Sequence, residues 1–217
     1  MPAPLPYQVF LFDLDGTLID HFSAIHRSYT HALAHFGRPA PTRGQVRSAV
    51  GGGVEHSIAQ FFPPEDRAEA TRVYRAYWDR TMLDDVALMP GARELLAGLH
   101  ARGARLAVVS NKLGSSSRQI CEHLGLQPYL QAVIGAKDTP WLKPDLEFTQ
   151  RVLEVLGAEA RSTLLVGDSP YDIEAAHVAG LPAWCVSHGT HSPEQLRAAG
   201  ADRIFDGLPE VGQALGL

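Results

Sequence analysis

The stretch Val9-Phe10-Leu11-Phe12-Asp13-Leu14-Asp15-Gly16-Thr17-Leu18 sets an apolar run directly against two carboxylates, a glycine and a hydroxyl. Four consecutive apolar residues followed by turn formers predict a strand buried on both faces, as in a parallel sheet. The aspartates then fall at its carboxyl end, where open parallel sheets bind ligands. Gly16 permits a sharp bend, and the two-residue step sets both carboxylates on one open side while Leu14 turns inward. Thr17 is expected to cap the turn and orient Asp15 through a hydrogen bond.

Two later apolar runs end in the same manner. Leu106-Ala107-Val108-Val109 stops at Ser110-Asn111-Lys112, and Thr163-Leu164-Leu165-Val166 stops at Gly167-Asp168-Ser169-Pro170-Tyr171-Asp172. Between them come a weaker strand at Ala132-Val133-Ile134-Gly135, a loop carrying Lys143, and a helix from about Leu146 to Leu156. From Pro90-Gly91 onward helices and short apolar runs alternate, the pattern of βαβ units. The series closes with strands at Ala183-Trp184-Cys185-Val186 and Arg203-Ile204-Phe205, a helix near Glu194 to Ala199 between them, and a last helix.

Residues from His21 to about Val86 read differently, as helices without a strand. Phe22, Ile25, Tyr29, Leu33 and Phe36 recur every three or four positions up to Gly37. A second helical stretch follows Pro41-Thr42 and is interrupted at Val50-Gly51-Gly52-Gly53-Val54. A third runs from about Glu65 to Thr81, with Val73, Tyr77 and Trp78 facing inward. The expected fold is therefore α/β: a Rossmann-like open parallel sheet core over residues 1–18 and 88–217, with an α-helical cap inserted at 19–87.

A chain of 217 residues buries a sizeable core. Its net charge of −5, with arginines interspersed among acids, argues against nucleic acid as a partner. No apolar run is long enough to span a membrane, and Met1-Pro2-Ala3-Pro4-Leu5-Pro6 lacks the features of an export leader. Cys121 and Cys185 lie in apolar settings and are expected as reduced core residues, so the expected location is cytoplasmic. A monomer is expected, with a dimer left open.

Bringing Asp13, Asp15, Asp168 and Asp172 together is self-repelling, at about 4 kcal/mol per pair 4 Å apart at an effective dielectric of 20. A divalent cation relieves this. Oxygen donors without a His/Cys set suit a hard ion, Mg²⁺ above others. With Lys143, one of three lysines in the chain, and the Ser110/Asn111 pair, the ion would form a cationic, donor-rich cradle for a phosphoryl group. A carboxylate nucleophile at Asp13 would form an acyl phosphate, and Asp15 suits the acid/base role this requires. A calcium loop is the wrong reading, because glycine stands fourth rather than sixth and no glutamate stands twelfth.

Asp13-Leu14-Asp15-Gly16-Thr17-Leu18, Val109-Ser110-Asn111-Lys112, Lys143-Pro144-Asp145 and Gly167-Asp168-Ser169-Pro170-Tyr171-Asp172 resemble, in order and spacing, the four motifs of the haloacid dehalogenase superfamily of phosphohydrolases. The resemblance implies that Asp13 is the nucleophile, Asp15 the general acid/base, and Ser110 and Lys143 the phosphate binders; Thr17 and Asn111 are further candidates for substrate binding. It implies a Mg²⁺ site of Asp13, the Asp15 backbone carbonyl and Asp168, with Asp172 a second acid orienting a bound water or Lys143. The helical insert resembles the first cap class of this superfamily. Val46-Arg47-Ser48-Ala49-Val50-Gly51-Gly52-Gly53 and Ala175-Ala176-His177-Val178-Ala179-Gly180 resemble the phosphoglycolate phosphatases within it. Arg47 and His21 are the cap-side candidates for substrate contact. His21 departs from the small hydroxyl residue common there, and Asp145-Leu146 departs from the second proline that often follows the lysine motif.

The implied activity is Mg²⁺-dependent hydrolysis of a small phosphorylated metabolite. A haloalkanoate dehalogenase has no use for an acid at position 15, and a phosphonatase needs a cap lysine where none precedes Lys112. A phosphosugar mutase uses the same two aspartates and differs in how the cap excludes water. A non-catalytic phosphate binder has no need of the acid/base pair.

Overall fold

The computed structural model describes residues 4–217; Met1, Pro2 and Ala3, which open the segment read for a leader, lie outside the described residues. β1 (Val9–Phe12) is wholly buried and leads through the Asp-rich turn to β2 (Ile19–Asp20). Four helices follow: α1 (Phe22–His35), α2 (Arg43–Ala49), α3 (Val54–Phe61) and α4 (Arg67–Thr81). The chain returns through β3 (Ala87–Leu88), which pairs antiparallel with β2. These two-residue strands join the entry and exit of the helical segment.

The alternating part begins with α5 (Ala92–Ala101), β4 (Arg105–Leu113), α6 (Gly114–His123) and β5 (Ala132–Ala136). It continues with α7 (Leu146–Leu156), β6 (Thr163–Gly167), α8 (Pro170–Val178) and β7 (Ala183–Val186). α9 (Pro193–Ala198), β8 (Arg203–Phe205) and α10 (Leu208–Ala214) complete it. The strands form one parallel sheet of order β5-β4-β1-β6-β7-β8. The chain runs outward from β1 to β5, returns beside β1 as β6, and continues to β8. The direction reverses between β1 and β6, and that is where such sheets open a ligand crevice.

Alternation along the strands builds two cores. Phe10, Phe12, Leu106, Val108, Leu164 and Val166 face one side, and Val9, Leu11, Ala107, Val109 and Leu165 the other. Each Val, Leu or Phe among them contributes roughly 1.5–3 kcal/mol on burial. The first core runs unbroken through Leu14 and Leu18 into the helical segment, reaching Tyr29, Tyr74 and Trp78. Tyr29 packs 4.7 Å from Tyr74 and 4.8 Å from Phe61, ring to ring.

Three local expectations are revised. α4 buries Ala70, Val73, Tyr74 and Trp78, whereas Tyr77 is half-buried and stacks on His31 at 4.3 Å; residues 70, 74 and 78 share the inner face by helical spacing. β4 does not stop before Ser110 but runs to Leu113 with a register shift after Val109. Such irregular strand ends re-aim side chains beside active sites. β2 and β3 were not anticipated, since two residues carry no periodicity. Cys121 and Cys185 are free and buried. Among the described residues no helix is long and apolar enough to cross a membrane.

Candidate active site

Asp13 continues the β1 ladder by one residue, its N–H donating to the Val166 carbonyl at 2.9 Å. Gly16 then turns at φ 86°, and a Cβ there would stand 2.6 Å from Asp168 Oδ2. Glycine is what lets the loop after β1 pass against the loop after β6.

Lys143 arrives on the loop before α7 and is buried at 4% exposure. Its ammonium donates to Asp13 Oδ1 and Asp172 Oδ1, both at 2.6 Å, and to the Val109 carbonyl at 2.9 Å. All three ammonium donors are thereby used. Burial disfavours its charge, but the two carboxylates outweigh that and raise its pKa. Asp172 is shared between this lysine and the turn after β6: its Oδ2 accepts from Ser169 Oγ at 2.6 Å, Ser169 N at 3.1 Å and Asp168 N at 3.2 Å. The second acid thus orients Lys143 and caps α8.

Asp168 accepts from Thr17 Oγ1 at 3.0 Å, and its other oxygen accepts from Thr190 N at 2.7 Å and Thr190 Oγ1 at 2.6 Å. The Thr17 hydroxyl therefore serves Asp168 and not Asp15, because the sheet order sets the turn after β1 beside the end of β6. Thr190, in the loop after β7, was absent from the sequence reading. Its only signal was a hydroxyl residue beyond the end of the next parallel strand.

Asp15 has a separate set of partners. Lys112 Nζ lies 2.7 Å from its Oδ2, and His21 Nδ1 lies 3.4 Å from its Oδ1. His21 is buried, with Nε2 2.6 Å from the Met82 carbonyl and its ring 4.8 Å from that of Trp78. The carbonyl only accepts, so Nε2 donates to it, and Nδ1 points toward the Asp15 carboxylate. Lys112 Nζ stands 4.4 Å over the Trp78 ring. Lys112 stood in a motif without a role of its own; its pairing with Asp15 is a tertiary contact.

The two aspartates of the opening turn are pushed in opposite directions. Burial, and then Asp172 and Asp168, raise Asp13 to about 8 against the pull of Lys143. Burial also opposes the charge on Asp15, but Lys112 and His21 outweigh it and hold that carboxyl well below the usual carboxylate range. Asp168 is raised to about 6 by burial and Asp172, with the bonds from Thr190 and Thr17 opposing.

Ser110 is buried, and its Oγ accepts from Lys112 N at 3.2 Å, leaving its own proton to donate. Asn111 comes to the site with its side-chain amide occupied: Nδ2 donates to the carbonyls of Gly51 at 2.9 Å and Lys143 at 2.8 Å, and Oδ1 accepts from Lys143 N at 2.8 Å. It ties the helical segment to the lysine loop. A Cβ on Gly53 would meet the Asn111 carbonyl at 3.2 Å, so this glycine packs directly on the end of β4. Arg47 is not brought here; its guanidinium lies 4.8 Å over the Phe22 ring, in a separate depression beside His26 and Arg43.

Asp13, Asp15, Ser110 and Lys112 face Tyr74 and Trp78 across a cavity of about 130 Å³. Oxygens of Asp13, Asp168 and Asp172 lie within 4.8 Å of one another, all buried. Against these three carboxylates stands the one ammonium of Lys143, bonded to Asp13 and Asp172, and this excess of buried carboxylate on hard oxygen donors fits a divalent cation.

The profile described as haloacid dehalogenase-like hydrolase matches residues 10–186. A Dickeya dadantii protein named probable phosphatase IndB is 35% identical, with 93% of this chain and 90% of that protein covered. The plasmid-encoded phosphoglycolate phosphatase of Cupriavidus necator is 33% identical, covering 94% and 91%. The crystal structure of a predicted phosphatase from Clostridium acetobutylicum superposes with a TM-score of 0.89 at 29% identity, covering 97% of this chain and 99% of that one. With these motifs converging on one cleft of a doubly wound sheet, the chain belongs to the haloacid dehalogenase-like hydrolases.

Proposed function

We propose that this hydrolase is a Mg²⁺-dependent phosphomonoesterase that cleaves a small organic phosphate, 2-phosphoglycolate first among candidates, through a phosphoryl group carried on Asp13. The observation that carries this reading is the division of labour between two carboxylates two residues apart. Asp13 has one oxygen held by Lys143 and the carboxylate aimed into the cleft, while Asp15 is held apart by Lys112 and His21. The names of the Dickeya and Cupriavidus relatives support a phosphatase, and the latter supports the choice of first substrate.

Asp13 Oδ2 attacks phosphorus in line with the ester oxygen, which leaves as an alcohol on taking a proton that Asp15 gains as the anionic phosphate binds beside it. Water then attacks the phosphoryl group on Asp13 and gives its proton to Asp15, releasing phosphate. Lys143 steadies Asp13 throughout, and the Ser110 hydroxyl is placed to donate to a phosphoryl oxygen. A divalent cation held by Asp13, Asp168 and the Asp15 backbone carbonyl would supply charge neutralisation for the phosphoryl oxygens when bound. The buried free thiols support a cytoplasmic setting.

The test is phosphate release from a panel of 2-phosphoglycolate, sugar phosphates, nucleotides and pyrophosphate, with and without chelation. The reading expects release that depends on divalent metal and is fastest with a small ester. Isomerisation of a phosphosugar without release would favour a mutase, and release undiminished by thorough chelation would remove the metal.

A further inference from the structure

Three cations line the cleft, each in an ion pair. Lys143 is bound by Asp13 and Asp172, and Arg75 of α4 pairs with Glu55 of α3 at 2.9 Å. Lys112 is placed differently. Among the described residues Asp15 is its one carboxylate partner, at 2.7 Å, and its side chain, 11% exposed, ends 4.4 Å over the Trp78 ring. We propose that Lys112, held between Asp15 and Trp78, selects a leaving group that carries its own negative charge.

The inference rests on the phosphomonoesterase reading and names the chemistry of the departing alcohol. The leaving ester oxygen must reach the Asp15 carboxyl to take its proton. Lys112 Nζ is bonded to that same carboxyl, so atoms two or three bonds beyond the ester oxygen come within reach of the ammonium. An ammonium has three donors. One goes to Asp15, the aromatic face takes a second direction, and a third is open to a substrate anion. A carboxylate on a two- or three-carbon phospho acid fits that place.

The rest of the wall discriminates in the same sense. Tyr29, Tyr74 and Trp78 present aromatic surface, while Glu55 and Asp79 present acids that repel an anion, which leaves Lys112 as the place for it. A sugar or alkyl phosphate brings a neutral group to Lys112 and forgoes the charge-assisted bond. Beside the largely buried Lys112 and Asp15 side chains that bond is worth roughly tenfold to a hundredfold in kcat/KM.

The experiment compares 2-phosphoglycolate with 2-hydroxyethyl phosphate, which replaces the carboxylate by a neutral alcohol. The wild-type enzyme is expected to favour 2-phosphoglycolate by at least about tenfold in kcat/KM. Lys112→Met is expected to lower both activities, because Asp15 loses its partner, and to bring their ratio close to one. Lys112→Arg keeps the charge and is expected to retain most of the preference. A wild-type enzyme that hydrolyses both esters equally would overturn the inference and leave the phosphatase reading standing, and this result needs no variant to fold. A ratio unchanged in a folded Lys112→Met protein would also overturn it, reducing Lys112 to a support for Asp15. Release of phosphate from no ester at all would instead overturn the underlying reading.

Discussion

Lys143 Nζ lies 2.6 Å from Asp13 Oδ1, across 130 positions of sequence, and the pair is buried at the end of the central strand. The lysine is shared with Asp172, so it neutralises one carboxylate of two. Removing it leaves facing buried charges, and breaking such a pair costs about 3–5 kcal/mol. Lys143→Met is therefore expected to lose turnover and to unfold at lower denaturant, with part of the stability regained on adding divalent metal. Equilibrium urea unfolding of the metal-free and metal-loaded variant measures both.

The raised pKa values give a pH signature in metal-free protein. Asp13 moves from 3.8 to about 8 and Asp168 from 3.8 to about 6 on folding. A carboxylate whose folded pKa is raised binds more protons in the native state between the two values, so stability falls as pH rises through that interval. Asp15 is shifted the other way, and its contribution is present above its ordinary range and lost as the pH falls. Between pH 4 and 8 the metal-free melting temperature is expected to fall from the Asp13 and Asp168 contributions, and the increase on adding Mg²⁺ is expected to be larger at pH 8 than at pH 5. Thermal melts across pH with and without chelator check this.

Gly16→Ala is expected to damage metal binding before it damages the fold. The residue sits at positive φ, and the added methyl would meet Asp168 Oδ2. Strain of this kind costs about 1–3 kcal/mol. Calorimetric titration with Mg²⁺ is expected to show weakened affinity, alongside a modest fall in melting temperature.

Asn111→Ala removes the bonds that tie Gly51 and the Lys143 backbone together. Leaving buried partners unmatched costs roughly 1–3 kcal/mol. The expected kinetics are a raised KM and a lowered kcat, since both the helical segment and the lysine loop lose their anchor. Steady-state kinetics on 2-phosphoglycolate provide the measurement.

Much of this architecture was legible because it is local. Leu146 to Leu156, Ala183 to Val186 and Arg203 to Phe205 carry their own periodicity and end where the sequence places them. The convergence of Asp13, Ser110 and Asp168 followed from one rule about strand ends, and Lys143 was placed by the resemblance of its motif. What escaped was set by packing between distant segments. No local pattern shows that Thr17 turns to Asp168, that Thr190 joins it, or that Arg47 lies over Phe22 outside the cleft. Lys112 was visible as a residue, but its place under Trp78 depends on how α4 meets β4.

The central claim is that Asp13 carries the phosphoryl group. Mass spectrometry of the Asp13-bearing peptide, after rapid acid quench of enzyme with 2-phosphoglycolate and Mg²⁺, tests it most directly. The account predicts a transient gain equal to one phosphoryl group on Asp13, absent from the Asp13→Asn protein, which folds without turnover. A folded Asp13→Asn enzyme that retains substantial activity, or a phosphoryl group trapped on another residue while Asp13 stays unmodified, would contradict it.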